Sequence, residues 1–266
     1  MRRSALGDRV SAHKSVLLIG GTDSSGGAGL ARDWRVLADC KVDGKAVVTA
    51  VTAQSSAGVR AVQHMPREMI RAQMECALQS GAVHAIKIGM LGTAATVRAI
   101  AEALRARSEL PVILDPVIAA SSGGRLLEDR GLEFLRGELL PRVTLITPNI
   151  PEAAALLGER QTCEEGRLIE FASRIQEMGP RAVLIKGGHS SAAECVDLFL
   201  SAEGTVTRLV SSRVPADMRG TGCALASAIA VGLTRSLPLV DACRFGKDYV
   251  TNELRALAPP CRSGMG

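Results

Sequence analysis

The 266-residue chain is 47% hydrophobic, only 2% aromatic and carries a net charge of +5. With few aromatic rings on which bases could stack, and arginines scattered among acids, the charge speaks against a nucleic-acid platform and reads as solubility with a bias toward anionic substrates. The seven cysteines lie far apart without CxxC spacing, which speaks against a zinc site or disulfide framework, and no apolar run nears the roughly 18 residues of a bilayer span, so a cytoplasmic protein is expected.

In chain order, Ser15 to Gly20 is a short apolar run feeding a glycine-rich turn, Gly20 to Gly29, and Leu30 to Leu37 has helical spacing. Ala46 to Ala53 is rich in β-branched residues and reads as a strand; Arg67 to Gln79 follows as a helix and Ala85 to Ile88 as a strand. The alternation continues with a helix over Thr96–Arg105, a strand over Val112–Leu114 ending at Asp115-Pro116, and a helix over Arg130–Leu139. Leu145 to Thr147 is a brief strand, and Ile150 to Leu157 a helix with proline in its first turn, where the missing N–H costs little. A helix over Leu168–Glu177, a strand over Ala182–Ile185, an antiparallel pair over Val196–Leu200 and Val206–Leu209, and helices over Cys223–Leu233 and Leu239–Leu257 complete the series. An Ala, Val, Leu and Ile core with this alternation predicts an α/β fold with a doubly wound, mainly parallel sheet flanked by helices, and ligands beyond the carboxyl ends of its strands. One domain is expected over residues 15–258, between a basic N-terminal extension (residues 1–14) and a loosely ordered tail (residues 259–266).

Several loops carry groups fit for chemistry. Gly220-Thr221-Gly222-Cys223 precedes an Ala-rich helix, so its backbone N–H groups can converge on an anion with the helix dipole behind them; such a turn equally serves only to join strand to helix. In a first helical turn Cys223 gains from the dipole, which lowers a thiol pKa, although a cysteine in an Ala-rich helix is commonly plain core. Asn149 and Glu152 stand at a strand end and helix start, where a carboxylate can act on magnesium through water and where capping is the simpler role. Asp115 is a second candidate for the metal or phosphate zone, or an ordinary Asp-Pro turn. Lys186, in Lys186-Gly187-Gly188-His189, can contact nucleotide phosphates or remain a solvated turn lysine. The turn Gly20 to Gly29 lacks the spacing of a P-loop and suits close backbone approach to a substrate.

Taken in order, GTDSSGGAGL from Gly21, VVTAVTAQSSAGV from Val47, KIGML from Lys87, LDPV from Leu114, LITPNIPEAAALL from Leu145, KGGH from Lys186 and RGTGCA from Arg219 form a pattern. It resembles the hydroxymethylpyrimidine/phosphomethylpyrimidine kinases of thiamin biosynthesis, within the ribokinase-like superfamily, from about Val16 to Ala256. The resemblance implies ATP and Mg²⁺ as cofactors, a homodimer, and phosphorylation of 4-amino-5-hydroxymethyl-2-methylpyrimidine and its monophosphate. It implies that Gly220, Thr221, Gly222 and Cys223 form the anion hole, with Cys223 in the base position. The pyrimidine would lie against Gly21, Asp23, Ala28, Gln54, Met90 and Val117, with Gln54 offering both a donor and an acceptor to an aminopyrimidine. Lys186 falls to the ATP phosphates, and Asp115, Asn149 and Glu152 to the magnesium and phosphate region. Four positions depart from the resembled pattern: Arg219 stands for a common His, Ala224 for Thr, Ser24 for Pro and Arg32 for Gln. A vitamin B6 kinase of the same superfamily and a catalytically silent pyrimidine-binding protein are the alternatives.

Overall fold

The computed structural model describes residues 14–55, 57–120, 124–187 and 194–258. The expected basic extension, apart from Lys14, lies outside the described residues, as do the tail, Gly188 and His189.

The strands are β1 (Ser15–Asp23), β2 (Asp43–Ser55), β3 (Gly58–His64), β4 (Ala85–Ile88), β5 (Val112–Leu114), β6 (Leu145–Ile146), β7 (Ala182–Ile185), β8 (Glu194–Leu200) and β9 (Val206–Ser212). They form one sheet in the order β3-β2-β1-β4-β5-β6-β7-β8-β9. The six strands from β2 to β7 run parallel, while β3 at one end and β8 and β9 at the other are antiparallel. The helices are α1 (Gly29–Asp39), α2 (Arg67–Gln79), α3 (Ala94–Leu104), α4 (Asp129–Phe134), α5 (Ile150–Leu157), α6 (Glu165–Gln176), α7 (Thr221–Thr234) and α8 (Leu239–Leu257).

Both faces of the sheet are covered, which is why β1 reads as an unbroken apolar run. Leu17 and Ile19 point into a core shared with α2 to α6, whereas Val16 and Leu18 point into one shared with α1, α7 and α8. Helix α7 is buried along most of its length, packed on the sheet on one side and on α1 and α8 on the other. That position explains its apolar residues all round.

Three expectations change. The half-exposed segment GVRAVQH forms β3 as an edge strand, which its sparse apolar pattern conceals. The single helix expected over Arg130–Leu139 is α4 followed by a π turn at Leu135–Leu139 and a 3₁₀ turn at Leu140–Arg142, in a stretch weakened by Gly131 and Gly137 and stopped at Pro141. Finally, β1 runs through Asp23, so Gly21 and Asp23 are strand residues and the turn itself is only residues 24–28.

From β1 the chain winds to β2 and β3, then returns to the other flank of β1 with β4. The carboxyl ends of β1 and β4 therefore border a topological switch point, the place where open α/β sheets hold ligands. The N-termini of α1 and α7 meet there.

Candidate active site

The start of α7 is set by Gly220, its N-cap, in the left-handed region at φ 72°. A Cβ on it would lie 2.5 Å from Gly27 O and 3.1 Å from Ala28 Cα, so both its angle and its neighbours require glycine. Thr221, Gly222 and Cys223 are thus not a free turn, as expected, but the first helical turn, with the first intrahelical bond running from Ala224 N to Gly220 O. Their three N–H groups have no acceptor within the helix and present a positive end to the switch point.

Facing this end are three charged groups, two from loops after strands and one, Glu152, from the first turn of α5. Lys186, just past β7, donates to Asp115 Oδ1 at 2.7 Å and lies 3.7 Å from Glu152 Oε2. A Cβ on Gly222 would stand 3.1 Å from Lys186 Nζ and 3.2 Å from Asp115 Oδ2, so glycine lets the helix end close on the ion cluster. Asn149 and Glu152 form a reciprocal capping box on α5: Asn149 Oδ1 accepts from Glu152 N and Glu152 Oε2 from Asn149 N, both at 2.8 Å. The cap fixes the direction of the Glu152 carboxylate. Burial, opposed by Lys186 and supported by Asp115, raises Glu152 to about 7. Burial alone would lower Lys186, but the facing Asp115 and Glu152 more than reverse this, and it remains an ammonium.

The Asp115 carboxylate and a Glu152 that is partly ionised near neutrality, against one ammonium, leave a partial acidic surplus. That fits a hydrated Mg²⁺, which keeps most of its waters and takes only one or two carboxylates beside substrate phosphates. Among the described residues no group of three His, Cys, Asp or Glu side chains forms a cage made by protein alone.

Cys223 is partly buried, one turn before Ser227 on α7. Burial raises its thiol to about 11; Lys87 and the Gly29 backbone N–H oppose the rise, and Asp33 and Asp115 add to it. The lowering expected from the helix dipole is therefore outweighed by desolvation.

On the pyrimidine side, Met90 Sδ lies over Gly21, 3.0 Å from where a Cβ would stand, and Met90 O accepts from Thr49 Oγ1 at 2.6 Å. Half-buried Val117 follows Asp115, to whose carbonyl its N–H donates. Ser24 Oγ donates to Gln54 O and accepts from Gln54 N, both at 2.9 Å, which pins the turn to the end of β2 and leaves the half-buried Gln54 side chain beside Thr52 Oγ1 at 3.2 Å. Asp23 is fully engaged: Oδ1 accepts from Ser25 N and Oγ, and Oδ2 from Arg219 Nη2 at 3.1 Å. Arg219 Nη1 also donates to Ser25 Oγ at 2.8 Å, so this residue clasps the 24–28 turn, Ala28 included, to the start of α7. Arg32 turns away, into Glu253 of α8 and Met218, and Ala224 is core.

The sequence reading passed over Lys87, Asp33 and Ser227. Lys87 is 1% exposed in the strand AIKI and donates to both Asp33 oxygens at 2.7 Å, while Ser227 Oγ donates to Asp33 Oδ1 at 2.8 Å. A lysine inside a four-residue apolar strand was the available signal. A separate groove of about 500 Å³ between β9 and α8, bordered by Val210, Asp248 and Arg255, holds none of these groups.

Comparison with known proteins adds four findings. The family described as phosphomethylpyrimidine kinase matches residues 23–266. A hydroxymethylpyrimidine/phosphomethylpyrimidine kinase of Rhizobium meliloti (strain 1021) is 40% identical over 235 residues, 88% of each chain. Among solved structures, a phosphomethylpyrimidine kinase from Clostridium difficile 630 superposes with a TM-score of 0.79 at 32% identity, over 91% of this chain and 99% of that one. A pyridoxal kinase from Staphylococcus aureus, in complex with AMP-PCP and pyridoxal, gives 0.83 at 27% identity, over 91% and 88%.

Proposed function

The chain belongs to the phosphomethylpyrimidine kinase family, and from that premise we propose that it transfers the γ-phosphoryl of ATP to hydroxymethylpyrimidine and then to its monophosphate. The observation that carries this reading is the convergence of the Lys186–Asp115–Glu152 cluster and Cys223 on the Gly220-capped end of α7.

The geometry supports the following roles. The N–H groups of Thr221, Gly222 and Cys223 hold the equatorial oxygens of the phosphoryl group in flight, where fixed dipoles need no reorganisation. Lys186 meets the charge that builds on the departing diphosphate, and Asn149, by holding Glu152, keeps the acidic side of the cluster in place. Asp115 and Glu152 would hold Mg²⁺ through water; when bound, it supplies neutralising charge at the phosphate oxygens. Gly21 and Met90 form one wall for the pyrimidine and Val117 another, while the Gln54 amide reads a ring nitrogen and the exocyclic amine. Asp23 acts through Ser25 and Arg219, shaping the turn at Ala28. In the minor thiolate form of Cys223, the substrate hydroxyl loses its proton to the sulfur, leaving the neutral thiol, as its oxygen bonds to phosphorus and the bond to the ADP oxygen breaks.

ATP-dependent phosphorylation of hydroxymethylpyrimidine and of its monophosphate, followed by phosphorus NMR, tests the proposal. Two successive products are expected; no turnover of either substrate removes it. The backbone match to a pyridoxal kinase favours vitamin B6 phosphorylation as a second reading, and side-by-side kcat/KM values decide between the two. The reading also carries a cytoplasmic homodimer, whose mass sedimentation measures.

A further inference from the structure

The Lys87–Asp33–Ser227 cluster is left without a role by the chemistry above. It lies at the junction of three elements: Lys87 comes from β4, Asp33 from α1 and Ser227 from α7. Lys87 is 1% exposed and Asp33 fully buried. Stability alone does not account for such a pair, because apolar residues of similar volume generally replace a buried ion pair at no loss. Its placement is more telling. Ser227 is four residues after Cys223, so both side chains share one face of α7, and that face is turned to α1. A Cβ on Gly89 would lie 3.0 Å from Lys87 Nζ, which places the ammonium beside the backbone that leads to Met90 in the pyrimidine wall.

We propose that Lys87 is a positioning residue for phosphoryl transfer: locked by Asp33 and Ser227 under the first turn of α7, its ammonium is the fixed cation against which the Cys223 sulfur carries negative charge. The charges whose fields reach Cys223 are Lys87 from β4, Asp33 from α1, Asp115 after β5 and Lys186 after β7, and the Gly29 N–H from α1 donates to the sulfur. Of these, Lys87 opposes the burial of the thiol most strongly, and Asp33 works against it. Asp33 thus has two effects, holding the ammonium in place and tempering its field. The role of Lys87 in turnover rests on the kinase reading; its effect on the sulfur does not.

The test is therefore made on the thiol without substrate. Iodoacetamide alkylation of Cys223, followed on its own peptide by mass spectrometry between pH 6 and 10, separates it from the other cysteines. Lys87→Met is expected to slow alkylation about tenfold at a given pH, the equivalent of one pKa unit, and Asp33→Asn to accelerate it, because the ammonium then has the sulfur as its nearest anionic partner. Loosened packing would move both variants in the same direction, and that result overturns the proposal. Should Lys87→Met fail to fold, the double variant Lys87→Met with Asp33→Leu removes both charges at similar volume. It is expected to alkylate more slowly than the parent and to lose kcat in parallel, with KM for ATP within about twofold; alkylation at the parent rate overturns the proposal. A parent protein that shows this alkylation pattern but phosphorylates no pyrimidine refutes the kinase reading alone.

Discussion

Two ion pairs flank the anion-binding end of α7, and they are opposites. Lys87–Asp33 is bidentate, with side chains 1% and 0% exposed and a hydroxyl giving Oδ1 a second donor. Arg219–Asp23 is a single contact at 3.1 Å, with the guanidinium side chain 33% exposed. In the first, water screens neither partner, so the ammonium's charge acts on the reacting sulfur; in the second only the guanidinium reaches the rim, and the pair works as a mechanical clasp for the turn over the pyrimidine. Two of the departures from the familiar pattern, Ser24 and Arg219, lie on the clasp side. The Asp23 side chain there is only 3% exposed, but Ser25 N and Oγ also donate to its carboxylate, so a change at Arg219 leaves that charge hydrogen-bonded.

Mutations that separate the two sides sharpen this contrast. Lys87→Met strands the Asp33 carboxylate and is expected to lower stability by about 3–5 kcal/mol, measured by urea unfolding. Cys223→Ala is expected to lower kcat about a hundredfold or more, the usual scale for a lost acid-base group, with KM for ATP little changed; an unchanged kcat shows that the sulfur is not the base. The pH dependence carries its own sign: a thiol raised to about 11 gains thiolate as pH rises, so Cys223 alkylation should climb about tenfold per pH unit from neutrality toward 11. A plateau near pH 8 would show that the sulfur is not buried as described. Gly220→Ala forces a side chain into the left-handed region, which costs at least about 1–2 kcal/mol by calorimetry, beyond the collision with Gly27 O. Arg219→Met removes one charged partner of the buried Asp23 carboxylate while both Ser25 bonds remain, and is expected to cost about 1–2 kcal/mol with some sensitivity to salt. A loss as large as that of Lys87→Met would break the comparison.

The alternation of strands and helices was legible because parallel strands covered on both faces, such as AIKI and AVLI, are short and apolar against amphipathic helices. Edge strand β3 was not legible, since an exposed antiparallel edge needs no apolar pattern. Of the candidate site, Gly220, Gly222, Lys186, Asp115 and Glu152 were all legible as loop residues at strand ends and helix starts. Their mutual contacts were not: Lys186 meets Asp115 across 71 residues of chain, and Arg219 meets Asp23 across 196.

What the amino-acid order determined by itself is the α/β layout and the set of glycine-bearing turns at the strand ends, because periodicity and turn chemistry are local properties. Only the tertiary structure decided that Asp23 is spent on Arg219 and Ser25, that Cys223 is held as a thiol, and that Lys87 lies beneath the helix bearing it. Each of these depends on which distant groups share a volume from which water is excluded, and neither desolvation nor a through-space charge is written in the spacing of residues along the chain.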